Sequence, residues 1–128
     1  MEASIEGFNE LLGVRFNGGE KGLYQLELTV GPQHHHDAGL VHGGVYLSLL
    51  DTVMSRAIRT LTEEAHYAPT VALSCNFFRP ISTGLIYAEA KVVNQSRHLA
   101  FVEGSLRDEL GRLLAGGSAT FFLVEKPE

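Results

Sequence analysis

Residues 43–61 are the one stretch of this chain whose apolar side chains recur at helical spacing over several turns, and most of the chain beyond them alternates as strands do. That contrast limits the fold more than any other feature. At roughly 100° per residue, Leu47, Leu49, Leu50, Val53, Met54, Ala57, Ile58 and Leu61 fall on one broad arc with Tyr46 among them. Gly44, Ser48, Asp51, Thr52, Ser55, Arg56 and Arg59 fall on the other side. Beyond the helix, residues 70–79, 85–93, 98–107 and 113–124 read as strands, with Asn94-Gln95-Ser96 and Asp108-Glu109-Leu110-Gly111 as hairpin turns. Strands joined so closely pair antiparallel, since no crossover separates them.

Upstream, Ile5, Phe8, Leu11 and Leu12 predict a short amphipathic helix ending near Gly13. Asn17-Gly18-Gly19 reads as a turn. Tyr24, Leu26, Leu28 and Val30 alternate with polar residues as a strand with one buried face, closed by Gly31-Pro32, and residues 33–41 read as a loop. The fold class is therefore α+β: an antiparallel, strongly twisted sheet wrapped around one long helix. A chain of 128 residues suits a single domain, residues 1–128.

Charge and composition remove several function classes. A net charge of −5 argues against nucleic acid and anionic membranes as partners. No apolar run approaches the roughly 20 residues of a membrane span. Cys75 is the single cysteine, so no internal disulfide can form, which fits a reducing compartment. The start MEASIEGFNELL is acidic and lacks the basic opening of a secretory signal, so a cytoplasmic location is expected. His34, His35 and His36 invite a metal reading, but adjacent histidines point apart and zinc wants about four converging ligands. No metal and no cofactor is expected; His34 and His35 read as loop residues, His66 and His98 as surface.

Chemistry concentrates around the helix. Asp51 stands at the border of the apolar arc, with Ser48 one turn back and Ser55 one turn on. This polar seam is either a solvated face or a partly desolvated acid at a cleft, where a carboxylate can be tuned for base or nucleophile work. His42-Gly43-Gly44 places two residues without side chains where backbone N–H groups are free, which is either a simple glycine-rich helix entry or an oxyanion site. Gly44 and Asp51 lie about 10 Å apart along a helix at about 1.5 Å per residue, whereas a base acts within about 3 Å. One helix can hardly offer both groups to one carbonyl. Two such helices antiparallel about a two-fold axis can, so a homodimer with shared sites is expected.

Gly39-Leu40-Val41-His42-Gly43-Gly44 followed by Asp51 resembles the G-x-x-H-G-G-x6-D signature of hot-dog-fold thioesterases, in particular the PaaI-like (phenylacetyl-CoA thioesterase) branch. The later FFRPISTG and AFVEGSLRDELGRLLAGGSATFFL resemble that family's downstream strands, so the similarity spans nearly the whole chain. The resemblance implies a five- or six-stranded antiparallel sheet around a central helix, a dimer often paired into a tetramer, and acyl-CoA thioester substrates. Position by position it implies Asp51 as the catalytic carboxylate, Gly43 as the N–H that polarises the carbonyl, and His42 as the histidine that orients it. It implies Ser55 as a hydroxyl assisting the attacking water, and Gly44 and Thr70 as residues near the substrate. Arg79 and Arg97 fall in loops expected to face CoA phosphates. The sequence departs from the family at one position: six residues before His42, where Asn or Gln is usual, stands His36. An imidazole there can donate a hydrogen bond to carbonyl or water, and it can also titrate near neutral pH.

The inventory suits a thioester. A thiolate leaving group, from a thiol of pKa about 8.5, needs little acid assistance, so one carboxylate, one polarising dipole and a water suffice. No G-x-S-x-G elbow is present, and Cys75 reads as a small strand residue. Phe77, Phe78 and Tyr87 read as strand aromatics, packed in the core by default, with contact to an acyl group as the alternative. The main alternative is a non-catalytic acyl-CoA-binding module or sensor using the same cleft; another is a hot-dog hydratase, whose Asp and His lie on a different motif.

Overall fold

A computed structural model describes residues 7–62 and 66–125, with the backbone alone for His66. Helix α1 (Phe8–Leu12) leads into β1 (Arg15–Glu20) and β2 (Leu23–Thr29), and the long helix α2 (Gly43–Thr62) follows. Then come β3 (His66–Tyr67), β4 (Thr70–Phe77), β5 (Leu85–Gln95), β6 (Leu99–Arg107), β7 (Leu113–Phe122) and β8 (Val124–Glu125). One six-stranded sheet has the order β1-β2-β5-β6-β7-β4, and β3 pairs with β8 apart from it. Every pairing is antiparallel. The expected α+β arrangement is present, and α2 extends one residue beyond the predicted end. Ile5 lies outside the described residues.

The helix is held because its apolar arc has nowhere else to go. Leu49, Leu50, Val53, Met54 and Ala57 are wholly buried against Leu26 and Leu28 of β2, Ile86 and Ala88 of β5, Leu106 of β6 and Phe121 of β7. Gly104, on the central strand β6, allows this approach: a Cβ there would meet Met54 Cγ at 3.1 Å and Leu50 Cδ2 at 3.3 Å. Each fully buried Leu of this kind stabilises the fold by about 1.5–3 kcal/mol. No described helix is long and apolar enough to cross a membrane.

Four local expectations are corrected. Asn17-Gly18-Gly19 is no turn: β1 runs through it with a bulge between Phe16 and Gly18. The two-residue turn is Lys21-Gly22, whose positive φ values of 55° and 82° match the twist of the flanking strands. Its Gly22 N–H is also tied to Thr60 Oγ1 of α2 at 2.7 Å. Asn94 and Gln95 belong to β5, and the turn into β6 is made by residues 96–98, closed by Ser96 N–H on the Leu99 carbonyl. Leu47, at one edge of the predicted apolar arc, and Leu61, in the last turn of α2, are exposed. Arg56, placed on the polar side by periodicity, is buried with its guanidinium 4.1 Å from the centre of the Phe16 ring, because β1 folds over that side of the helix.

Candidate active site

Residues 34–42 form a narrow hairpin rather than an open loop. His42 N–H donates to the His34 carbonyl at 2.9 Å, His36 N–H to the Leu40 carbonyl at 2.8 Å, and His35 bridges to Val41. Gly39, at φ 79°, makes the return. Ala38 N–H donates to His36 Nδ1 at 2.9 Å. An amide can only donate, so Nδ1 holds the lone pair, and the neutral His36 ring carries its proton on Nε2.

The hairpin delivers the chain to the start of α2. Gly44 N–H donates to His42 Nδ1 at 2.7 Å, and Val45 N–H to the His42 carbonyl at 2.9 Å. Both glycine amides were expected to be free; the His42 side chain caps Gly44, so Gly44 offers no donor to a ligand. Gly43 N–H makes no hydrogen bond among the described residues and lies at the positive end of the α2 dipole. The Phe77 ring packs against Gly43: a Cβ at that position would lie 2.8 Å from Phe77 Cε2.

An open cleft of about 240 Å³ meets this point, lined by His36, Val41, Gly43, Tyr46, Phe77, Phe78, Arg79 and Pro80. Phe77 and Phe78 are 50% and 59% exposed, which overturns their reading as core. They sit where β4 leaves the sheet beside the first turn of α2, so among the described residues the helix covers them only in part. Tyr46 meets Phe77 edge to face at 5.7 Å and donates its hydroxyl to the Arg79 carbonyl at 2.9 Å. Burial pushes the Tyr46 hydroxyl above its ordinary pKa, so it remains a neutral donor bracing the cleft wall.

Asp51 is elsewhere. It is partly exposed on α2 and accepts a hydrogen bond from Thr70 Oγ1 at 2.6 Å. Ser48, its neighbour in the seam, donates to the Gly44 carbonyl at 2.7 Å. Ser55 is half-buried, and among the described residues no hydrogen bond joins it to Asp51. Arg97 is exposed in the turn between β5 and β6. The edge strand β4 therefore has Thr70 on Asp51 at its start and Phe77 on Gly43 at its end.

With both ends of the site located, comparison with known proteins decides what fold and family carry it. The family model described as "Thioesterase superfamily" matches residues 38–115. The chain belongs to the thioesterase superfamily. That match includes His42, Gly43, Gly44, Asp51, Thr70, Arg79 and Arg97 and begins after His36. The proofreading thioesterase EntH of Klebsiella pneumoniae is 32% identical over 101 residues, 79% of this chain and 74% of that protein. Among solved structures, a conserved protein from Pseudomonas aeruginosa superposes with a TM-score of 0.90 at 25% identity, over 94% of this chain and 95% of that one. A single-residue mutant of the phenylacetic acid degradation protein PaaI from Thermus thermophilus superposes with a TM-score of 0.82 at 28% identity, over 90% and 96%. This thioesterase is thus a thioester hydrolase of the hot-dog fold, as its motif implied.

Within this thioesterase, other sequence readings take their places. His34 is no loop residue: it is 1% exposed, with Gly31 N–H on Nδ1 at 2.9 Å and Leu12 carbonyl on Nε2 at 2.7 Å. His35 Nε2 meets the Ser82 carbonyl at 2.7 Å, so neither histidine turns toward a common centre. His98 is exposed and stacks on Phe122. The His66 side chain lies outside the described residues. Tyr87 is exposed on the opposite face of the sheet from α2, away from the cleft. Burial pushes the Cys75 thiol above its ordinary pKa, the wrong direction for a nucleophile.

Proposed function

We propose that this thioesterase hydrolyses a small, medium or aromatic acyl-CoA to the free acid and CoA, in sites shared by two copies of the chain. The observation that carries the reading is the unpartnered Gly43 N–H beside His36 in one cleft, with the only carboxylate of α2 eight residues further along. Eight residues of helix are about 12 Å, beyond the reach of a base acting on a carbonyl held at Gly43. β4 supports the same reading. It is an edge strand, pairs only with β7 among the described strands, and leaves Val71, Phe77 and Phe78 exposed. Antiparallel pairing of β4 with its copy about a two-fold axis brings the Thr70–Asp51 end of one protomer beside the Gly43–Phe77 end of the other. The PaaI-like branch and a dimer of dimers belong to the same proposal.

In this reading the thioester carbonyl oxygen accepts hydrogen bonds from Gly43 N–H and His36 Nε2–H, which stabilise the negative charge that grows there. Asp51 of the opposing protomer, oriented by Thr70, takes a proton from water as the water oxygen attacks the carbonyl carbon. Direct attack by the Asp51 carboxylate, giving an anhydride that water then opens, uses the same geometry. The C–S bond breaks and CoA leaves as thiolate, which the proton from Asp51 neutralises. Arg79 rims the cleft and Arg97 the opposite end of β4, where CoA phosphates have cations to meet; Ser55 stands one turn from Asp51 to hold the water.

Free-thiol release from acetyl-, butyryl-, hexanoyl-, benzoyl- and phenylacetyl-CoA tests the activity, with Asp51→Asn as the control. Subunit mixing tests the sharing. Asp51→Asn and Gly43→Val protomers are each inactive alone, and a mixed dimer regains activity at its one intact site. Absence of recovery in verified mixed dimers rejects shared sites.

A further inference from the structure

His34 is the most buried ionisable side chain among the described residues, and the reaction has no direct use for it. Its surroundings show what it does. Gly31 N–H can only donate to Nδ1, so the neutral ring carries its proton on Nε2 and donates it to the Leu12 carbonyl. One ring thereby ties the end of α1 to the end of β2. No apolar side chain of that size can do this, because it would leave a buried N–H and a buried carbonyl unpaired. Asn or Gln can reach only one of the two partners at a time.

The backbone of the same residue is the base of the hairpin that carries His36 and leads into His42. Its carbonyl accepts His42 N–H at 2.9 Å, and the pairing continues through His35 and Val41 to His36 and Leu40. The outer side of this hairpin is tied to the loop after β4, by Val41 N–H on the Ile81 carbonyl at 2.9 Å and by His35 on Ser82. The inner side is anchored to the core through the His34 ring, whose two hydrogen bonds leave it no rotational freedom. A shift of that ring moves the His34 peptide, hence the His42 N–H, hence the start of α2 and the His36 side chain on the far end of the hairpin.

We infer that His34 is a positioning residue of the thioesterase site: its imidazole sets where His36 and the His42–Gly43 helix entry stand relative to each other. The inference rests on the functional reading above, in which those groups hold the thioester carbonyl. It assigns His34 no contact with substrate.

The test uses His34→Asn, which keeps an acceptor near Nδ1, and His34→Gln, which keeps a donor near Nε2. Steady-state kinetics are run on the best substrate of the CoA panel, with thermal unfolding to confirm a cooperative fold. Misplacement of the carbonyl-holding groups lowers kcat by about 10- to 100-fold. KM changes by less than about three-fold, since the CoA-facing arginines sit on other loops. In a His36→Ala background the same His34 substitution costs less than half as much on a logarithmic scale, because the two residues act as one unit. A folded His34 variant with kcat within about two-fold of wild type overturns the inference, as does a loss undiminished in the His36→Ala background. Asp51→Asn run alongside separates the failures. If it too turns over normally, the functional reading is wrong; if it is inactive while the His34 variants are not, only the positioning role is lost.

Discussion

Two aspartates of this thioesterase live in opposite circumstances. Asp108, in the turn between β6 and β7, is 7% exposed and saturated with donors. Its Oδ1 accepts Leu110 N–H at 3.0 Å and Arg112 N–H at 2.9 Å, and its Oδ2 accepts Arg112 Nε at 2.7 Å. Asp51 is partly exposed and, among the described residues, accepts one side-chain hydrogen bond, from Thr70. Burial pushes the Asp108 carboxyl up, but the Arg112 and Leu110 donors and the Arg112 charge outweigh it and hold the group below the ordinary Asp range. A carboxylate so filled braces a turn and has little acceptor capacity left for a water. Asp51 has lone pairs to spare, and the proposed mechanism uses them. Local supply of donors thus distinguishes the two acids more sharply than position in a motif does.

The largest expected effect is on turnover. Asp51→Asn keeps the size of the side chain and an acceptor for Thr70 but removes the basic oxygen, so kcat falls by about 10³-fold or more, within the range for loss of a positioned base. Unfolding temperature stays near wild type, since the group is partly exposed. A thiol-release assay and a melting curve on the same preparation check both halves. Next comes Gly43→Ala. The added methyl would lie 2.8 Å from Phe77 Cε2, so either the ring or the helix entry shifts, and the Gly43 amide moves with it. A fall in kcat of about 10²-fold is expected, the scale for losing an oxyanion donor. Pairing it with Phe77→Leu, which makes room, restores part of the loss.

How much of this was legible in the sequence depends on the range of the interactions involved. The span of α2 and the border position of Asp51 follow from periodicity, which is local. Five strands of the sheet follow from alternation and turn residues, also local; β1 was missed because its Asn17-Gly18-Gly19 reads as a turn and its bulge breaks the alternation. Arg56 escaped because the ring that covers it, Phe16, is forty residues earlier in the chain. Phe77 and Phe78 escaped because exposure at a strand end depends on where the facing helix begins. The capping of Gly44 by His42 depends on one side-chain rotamer, which no spacing encodes. The resemblance placed Thr70 near the substrate, but its contact with Asp51 was not foreseen, since the two residues are nineteen positions apart and no local pattern joins them. His34 carried a signal that could have been used: a histidine just after Gly31-Pro32, at the end of a buried strand, has unpaired backbone groups nearby to satisfy.

Asp108→Asn sharpens the comparison from the structural side. It leaves kcat within about two-fold at 25 °C, as expected for a residue outside the site, and lowers the unfolding temperature at neutral pH. The pH dependence has a definite sign. A carboxyl whose folded pKa lies below its unfolded value stabilises the fold at pH above the unfolded value, about 3.9, and this contribution disappears as pH falls through the lower folded value. The gap in unfolding temperature between wild type and Asp108→Asn therefore narrows below about pH 4. A gap that stays constant from pH 7 to pH 3 would show that the turn is held by the shape of the side chain rather than its charge.

Among the substitutions that touch the proposed site, the smallest effect isolates the one side-chain hydrogen bond that Asp51 makes among the described residues. Thr70→Val keeps the volume and β-branching that suit the start of β4 and removes only the hydroxyl. The Thr70 Oγ1–Asp51 Oδ1 bond is 2.6 Å long. Its loss frees the carboxylate to rotate about χ2. Where the reacting atoms must lie within about 3 Å of each other, lost orientation lowers kcat by about three- to ten-fold with KM little changed. Steady-state kinetics of Thr70→Val check this. A wild-type kcat in that variant would show that the hydroxyl does not hold the carboxylate for the reaction, and a raised KM with unchanged kcat would place Thr70 against the substrate instead.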